Sequence, residues 1–265
     1  MTTNLTRRTG ALAVLATAAA TVLAGCDNGV GARLTFHDTE KVKVSEIVMA
    51  GGSGDVAVKT AAITETRITR VVHRRSDPEP SYRLEGTVLH IDTDCGRNCT
   101  ASYQIEAPAG VKVRGELRSG DVALADVGAA DLKVTSGNIA VAGSTGAVQV
   151  KTTSGDIVVH NARAGATLNA TSGDLRVMNA NGGPVNARTT SGDVEVRITE
   201  AASVTAHTTS GDVEVLVPSG AYQVRTNTNS GDAEVAGVVR DPASKNVLDI
   251  KTSSGDATVA GLPAP

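Results

Sequence analysis

Aromatic residues are nearly absent from this chain of 265 residues. Phe, Tyr and Trp make up 2% of the sequence, as Phe36, Tyr82, Tyr103 and Tyr222 with no Trp. Sites for sugars and for single-stranded nucleic acids usually stack their ligands on aromatic rings. The formal net charge of −3 also offers no general attraction to a nucleic-acid backbone. The composition therefore argues against a nucleic-acid partner and against a stacking sugar site.

Catalytic signatures are missing as well. The sequence contains no G-x-S-x-G, no H-E-x-x-H and no phosphate-binding P-loop. Its five histidines are scattered without metal-ligand spacing. The serines that recur in the chain are typical of turns rather than of a single activated nucleophile. A surface hydrolase is therefore only a remote alternative. We expect no enzyme activity and no cofactor.

The first 26 residues have the form of an export signal. The basic pair Arg7-Arg8 precedes an apolar run over 11–22, which is short for a membrane span, and Leu23-Ala24-Gly25-Cys26 follows. This ending resembles the lipobox of bacterial lipoproteins. The resemblance implies removal of residues 1–25 and a lipid on Cys26, which would anchor the exported protein to the outer face of the bacterial cell membrane. An ordinary signal peptide is the alternative.

Only two further cysteines are present, Cys95 and Cys99. An oxidising compartment favours a disulfide between them, and Gly96 and Asn98 tolerate the tight loop that it needs. Two thiols without a nearby histidine make only half of a zinc site. A thioredoxin-type pair has two residues between its cysteines, whereas this pair has three. We predict a structural disulfide, with free thiols and metal or redox use as the alternatives.

The tripeptide Ser-Gly-Asp recurs through the second half of the chain. Its third residues, with one Asn variant, are Asp121, Asn138, Asp156, Asp174, Asp193, Asp212, Asp232 and Asp256. Successive copies lie 17 to 24 residues apart, and an isolated copy, Ser53-Gly54-Asp55, precedes the series by 66 residues. Apolar residues follow each glycine two and four positions later, as Val194 and Val196 do. That period of two is typical of a strand with one buried face.

A second alternating strand leads into most of the motifs, as Val185 and Ala187 illustrate. Each repeat is thus a strand, a glycine turn, a second strand and a corner. Corresponding strands are so alike that they favour a parallel β-solenoid, in which like residues stack on like. We predict an all-β fold with this solenoid over 111–261. An antiparallel β-sandwich or meander is the alternative.

The pattern resembles the bacterial putative-adhesin family of β-strand-repeat proteins, whose domain name denotes unknown function. The resemblance rests on the Thr-Ser-Gly-Asp series and on Pro108-Ala109-Gly110-Val111-Lys112-Val113, and it covers about residues 40 to 260. It implies an envelope protein with an adhesin-like or structural role, whose partner is another envelope protein or a surface ligand. An envelope sensor, or an accessory subunit of a membrane partner, is the alternative.

Residues 35–110 are less regular than the repeats. The expected strands are 42–49, 56–59, 66–73, 82–91 and 101–106. We interpret this region as a β cap, because an uncapped solenoid exposes unpaired strand edges; a separate small domain is the alternative. Residues 26–34 would form a tether, and 262–265 a tail rich in proline.

Stacked coils would place the repeated aspartates in one column. Unit charges about 5 Å apart repel by roughly 1 kcal/mol in water, so these carboxylates must be solvated, bonded to backbone amides or neutralised by a cation. Glu195, Glu214 and Glu234 lie two residues beyond their aspartates and predict a second acidic row. We favour a solvated column that bonds backbone N–H groups. Calcium at Asp193, Glu195, Asp212 and Glu214 is the weaker hypothesis.

Overall fold

The computed structural model describes residues 19–20, 32–74 and 80–262, and these residues form strands and turns without any helix. No helix that could cross a membrane is therefore found in these ranges. The strands are β1 (Ala19–Ala20), β2 (Ala32–Glu40), β3 (Glu46–Ala50), β4 (Val56–Ala61), β5 (Thr66–Arg74), β6 (Tyr82–Glu85), β7 (Val88–Asp92), β8 (Cys99–Pro108), β9 (Lys112–Ser119), β10 (Val122–Val127), β11 (Ala130–Ser136), β12 (Ile139–Ser144), β13 (Val148–Ser154), β14 (Ile157–Ala162), β15 (Ala166–Asn169), β16 (Leu175–Ala180), β17 (Val185–Arg188), β18 (Val194–Ile198), β19 (Val204–His207), β20 (Val213–Pro218), β21 (Ala221–Asn227), β22 (Ala233–Ala236), β23 (Val239–Arg240), β24 (Val247–Lys251) and β25 (Ala257–Leu262).

The strands form two sheets. Sheet A has 13 strands in the order β1-β2-β5-β8-β4-β10-β12-β14-β16-β18-β20-β25-β22. Sheet B has 12 strands in the order β23-β21-β24-β19-β17-β15-β13-β11-β9-β3-β7-β6. Strands of neighbouring repeats pair in parallel, so that Leu175 lies beside Val194 and Val185 beside Val204. The predicted parallel β-solenoid is confirmed, and the antiparallel alternative is wrong for the repeats.

Each coil contains one strand of sheet B, a Ser-Gly-Asp turn and one strand of sheet A. In β18, Val194, Val196 and Ile198 are buried between the sheets while Glu195 and Arg197 point outward. The preceding strand β17 buries Val185 and Ala187 in the same way. Burying a valine side chain fully contributes about 1.5–3 kcal/mol. The repeated small side chains therefore make a thin, continuous core.

The strands before the repeats cover the first end of the solenoid. In sheet A, β8 pairs in parallel with β4, and β5 and β2 follow as antiparallel neighbours. In sheet B, β7 pairs in parallel with β3, and β6 returns antiparallel beside it. The buried Tyr103 hydroxyl donates to Ser81 and to the Asp92 carbonyl, and burial raises the pKa of Tyr103 to about 12. This end forms one core with the repeats.

Several expected boundaries differ from those in the structure, in this first region and at the end of the chain. The single strand expected over 82–91 is a hairpin, because Gly86 adopts a φ of 61° and reverses the chain. Strand β2 begins at Ala32, inside the predicted tether, and none of its described side chains is fully buried. A strand without buried side chains carries little alternation to detect. The predicted tail starts inside β25, and the rest of it lies outside the described residues.

The coils do not stack in chain order. The coil of β3 and β4, with the isolated Ser53-Gly54-Asp55 turn, lies beside the coil of β9 and β10, so it belongs to the solenoid rather than to the cap alone. At the other end, β24 and β25 are inserted between β19 and β20 on one side and β21 and β22 on the other. The last coil of the chain is therefore the second to last coil of the stack.

Candidate interaction surfaces

The Ser-Gly-Asp turns build a hydrogen-bond ladder along one edge of the solenoid. The Oδ1 atom at each third position accepts the backbone N–H of the same position in the next coil. Asp193 accepts from Asp212 at 2.9 Å, and Asn138 accepts from Asp156 at 2.9 Å. We call this series the Asp ladder; its spatial order is Asp55, Asp121, Asn138, Asp156, Asp174, Asp193, Asp212, Asp256 and Asp232. These bonds to backbone N–H groups stabilise a column of like charges.

The glycine of each turn is required by close stacking as well as by its backbone angle. Gly192 has a φ of 132°, and a Cβ atom added there would overlap the carbonyl oxygen of Gly173. The threonine two residues before the serine supports the same turn from inside. Thr208 is buried, and its hydroxyl donates to the carbonyls of Gly192 at 3.0 Å and Ser210 at 3.2 Å. Sequence reasoning did not assign this threonine a role.

The two ends of the Asp ladder differ. At the first end, the Asp55 N–H donates to the Ser102 hydroxyl of β8 at 3.1 Å, so a side chain from the cap replaces the missing carboxylate. At the other end stands Asp232, whose own N–H donates to Asp256 at 2.8 Å. Strand β22 beyond it is the edge of sheet A. The solenoid is thus capped at one end and open at the other.

The inserted coil also changes the predicted acidic row. Glu195 and Glu214 are direct neighbours in sheet A, as expected. Thr258 lies between Glu214 and Glu234, so the expected row of three glutamates is wrong. Arg176 forms an ion pair with Glu195 at 3.7 Å. Nowhere in residues 32–74 and 80–262 do three or more His, Cys, Asp or Glu side chains converge as a metal site, and the proposed calcium quartet does not do so.

Two histidines of the described residues have carboxylate partners: His90 Nε2 lies 3.4 Å from Glu85 Oε2, and His207 pairs with Asp249. His207 Nε2 lies 3.1 Å from Asp249 Oδ2 on the outer face of sheet B, and Lys251 also bonds Asp249. Burial lowers the pKa of His207, and the cations Lys251 and Arg188 act in the same direction, while Asp249 opposes them. In the described part of the chain, no serine hydroxyl is hydrogen-bonded to His207. The pair therefore lacks the nucleophile of a hydrolytic triad.

A recess of about 650 Å³ lies on the outer face of sheet A, near the capped end. Its floor consists of outward alanines from three neighbouring coils, namely Ala57, Ala123, Ala125, Ala140 and Ala142. Glu106 at its rim bonds Lys59 at 3.3 Å and Arg67 at 3.1 Å, and these bonds lower the pKa of Glu106. Alanines at outward strand positions were the sequence signal for this recess.

Cys95 and Cys99 form a disulfide in the loop between β7 and β8, with their Cα atoms 5.1 Å apart. Both are buried, and Gly96 and Asn98 between them adopt φ angles of 109° and 55°. The loop that they close lies beside the capped end of the solenoid. Cys26, the predicted lipid site, lies outside the described residues.

The family profile of Toastrack DUF4097 matches residues 28–260, which include every strand of the solenoid up to β25. The chain belongs to this family. The resemblance expected from the Ser-Gly-Asp series is confirmed: Toastrack DUF4097 is a domain of unknown function, and solved structures similar to this Toastrack chain are described as putative adhesins. No curated protein matches the chain.

Three solved structures illustrate the similarity of this Toastrack chain to other proteins. A putative adhesin from Bacteroides fragilis is 14% identical, with 86% of this chain and 97% of that chain covered and a TM-score of 0.49. A putative adhesin from Parabacteroides merdae is 15% identical, with coverage of 89% and 98% and a TM-score of 0.43. A putative cell adhesion protein from Clostridium sporogenes is 11% identical, with coverage of 85% and 99% and a TM-score of 0.32.

Proposed function

We propose that this protein is a lipid-anchored component of the bacterial cell envelope that acts as an adhesin-like or structural interaction module and catalyses no reaction. The observation that carries the proposal is the Asp ladder. It joins nine successive coils through side-chain to backbone bonds, so outward side chains are held at regular spacing on two open faces. A surface of this kind is suited to binding along its length.

The shape of the surfaces supports binding rather than catalysis. Small-molecule and catalytic sites are usually concave and enclose most of their ligand. The alanine recess is instead partly open to solvent on a sheet face, and its titratable residues Lys59 and Arg67 both bond Glu106. The His207–Asp249 pair likewise lies on a sheet face. An envelope location is supported by the Cys95–Cys99 disulfide, because such bonds persist in oxidising compartments.

The anchor is tested by fatty-acid labelling. The full chain is expressed in a bacterium that processes lipoproteins and is fed an alkyne fatty acid. We expect the wild type to carry the label and to remain with the membrane fraction. Cys26→Ala should lose the label and leave that fraction, because the thiol that holds the lipid is gone.

The double variant Cys95→Ser/Cys99→Ser is the matched control, since it removes two thiols but leaves Cys26. It should retain the label. Labelling and membrane retention of Cys26→Ala at the wild-type level would show that the anchor assignment is wrong.

The interaction role is tested by cross-linking on intact cells, followed by identification of the captured molecules. An interaction module should be captured together with molecules of the envelope or of another cell surface. Capture of one integral membrane protein in a fixed ratio would instead identify an accessory subunit. Release of the protein without any captured molecule, under conditions that capture a known envelope complex, would contradict both roles.

A further inference from the structure

A row of basic residues crosses the outer face of sheet B along the axis of the solenoid. In six neighbouring coils the residue three positions before the turn serine points outward, and the strand register places these residues side by side. The same position holds Glu116 in the coil before these six and Asn227 in the coil after them. We call this series the basic row; it contains Lys133, Lys151, Asn169, Arg188, His207 and Lys251. Neighbouring strands are about 4.8 Å apart, so the row places a basic or amide side chain at every strand spacing.

The ends and the middle of the basic row differ in their ion pairs. Lys133 bonds Glu116 at 3.0 Å, and Lys251 bonds Asp249 at 3.1 Å. Lys151 and Arg188, in the middle, are exposed, and neither forms an ion pair with any carboxylate of the described residues. They are two strands apart, or about 10 Å. The middle of the row is therefore a pair of uncompensated cations.

The residues beside the middle of the row are neutral. The adjacent outward row consists of Gln149, Thr167, Asn186 and Thr205, on strands β13, β15, β17 and β19. Carboxylates appear in this row only beyond those strands, as Asp131 on one side and Asp249 on the other. Although the chain is acidic overall, these four strands present cations, amides and hydroxyls together. Such a set binds anionic groups and the hydroxyls near them.

We propose that the face formed by β13, β15, β17 and β19 binds an extended phosphodiester polymer laid along the solenoid axis. The proposal names the partner class of the interaction module and rests on that proposed function. Arg188 can donate two parallel hydrogen bonds to one phosphate, and Lys151 contributes a point charge to another. The amide and hydroxyl row is placed to bond the polyol between phosphates. The lack of aromatic residues fits a ligand recognised without ring stacking.

The linear shape of the row favours a polymer over a membrane surface. A flat anionic bilayer would contact the whole face of sheet B and bring its phosphates against Asp131 and Asp249 as well. A single extended polymer can follow the basic row and leave Asp131 uncontacted. The narrow strip of cations therefore complements a linear polyanion better than a flat anionic membrane surface.

The test uses calorimetry at several salt concentrations to measure the binding of a synthetic poly(glycerol phosphate) to the purified protein. The protein is used in the form that its expression host produces after processing. We expect binding that weakens as salt rises. Lys151→Glu/Arg188→Glu should bind at least tenfold more weakly, and the slope of log affinity against log salt should become shallower, because two contacts that release counterions are lost. Arg163→Glu/Arg240→Glu is the control, since it changes the net charge equally at exposed residues outside the row.

Three results would overturn the proposal. The first is no binding by a wild-type protein that melts cooperatively. The second is an equal loss of binding in the control variant, which would show an effect of net charge alone. The third is binding to vesicles of anionic phospholipid that depends on Lys151 and Arg188 and that persists when excess polymer is added. Fatty-acid labelling of Cys26 and capture of other envelope molecules are independent of all three, so the interaction role can stand if the polymer does not bind.

Discussion

One side-chain oxygen per coil joins the repeats of this protein at the scale of single residues. Each Asp ladder residue except the terminal Asp232 accepts a backbone N–H from the adjacent coil, and Asn138 makes the same bond without a charge. The oxygen acceptor is therefore the common requirement, and the negative charge is not. The sequence motif indicates the turn, but only the stacked structure shows that its aspartate bonds a neighbouring coil.

Substitution of Asp193 separates these two properties. Asp193→Ala leaves the Asp212 N–H without its acceptor, and we expect a loss of about 1 kcal/mol in the free energy of unfolding. Asp193→Asn keeps an amide oxygen and removes a like charge from the column, so its stability should equal or exceed that of the wild type. Urea denaturation monitored by circular dichroism measures both. Equal losses for the two variants would mean that the charge itself stabilises the turn.

At the scale of strands and coils, the inserted last coil is the main departure from the sequence pattern. Strand β25 has neighbours on both sides, β20 and β22, whereas β22 has only β25. The coil of β24 and β25, which is the last in sequence, therefore lies between two other coils. The coil of β21 and β22, which precedes it in sequence, lies at the open end. The long spacing of 24 residues before Ser254 was the sequence signal for this rearrangement.

Two valines at equivalent positions test this order. Val259 in β25 is fully buried, and Val235 in β22 is only partly buried, although the two are direct neighbours in register. Val259→Ala should lower the free energy of unfolding by about 2 kcal/mol, and Val235→Ala by less than half as much. Urea midpoints of the two variants give the comparison. A larger effect at Val235 would show that the coils stack in chain order.

At the scale of the whole molecule, the stack behaves as repeated units that contact only their neighbours. Each central coil joins the next through parallel strand pairs in both sheets and one link of the Asp ladder. Stability in such an architecture is approximately a sum over coils and their interfaces. The length of the solenoid can therefore change by whole coils without changing the packing of the remainder.

Deletion of residues 172–190 tests this property, because it removes one coil and joins Thr171 to Ser191 in the same local sequence. We expect a folded protein with the β-sheet circular dichroism of the wild type, a cooperative melt, and a solenoid shorter by about 4.8 Å in small-angle scattering. Deletion of residues 172–180 is the control. It removes half a coil, brings sheet B residues into sheet A and should prevent folding. A collapsed or unfolded product from the whole-coil deletion would contradict independent repeats.

The sequence alone determined the all-β class, the coil and the residues of its turn. These features follow from contacts within a few residues: alternation sets which side chains are buried, and glycine permits the backbone angle of the turn. The same local rules failed at β2, where no described side chain is buried and alternation is unclear, and at the hairpin around Gly86, where two strands looked like one.

Only the tertiary structure decided which coils are neighbours and which outward residues share a face. Every Ser-Gly-Asp coil presents the same backbone edge, so local sequence does not distinguish one neighbour from another. The long connections do so, because they place the Asp55 coil beside the Asp121 coil and insert the Asp256 coil before the Asp232 coil. The same stacking aligns Lys151 with Arg188 across β15, since residues far apart in sequence become adjacent only when their coils are in register.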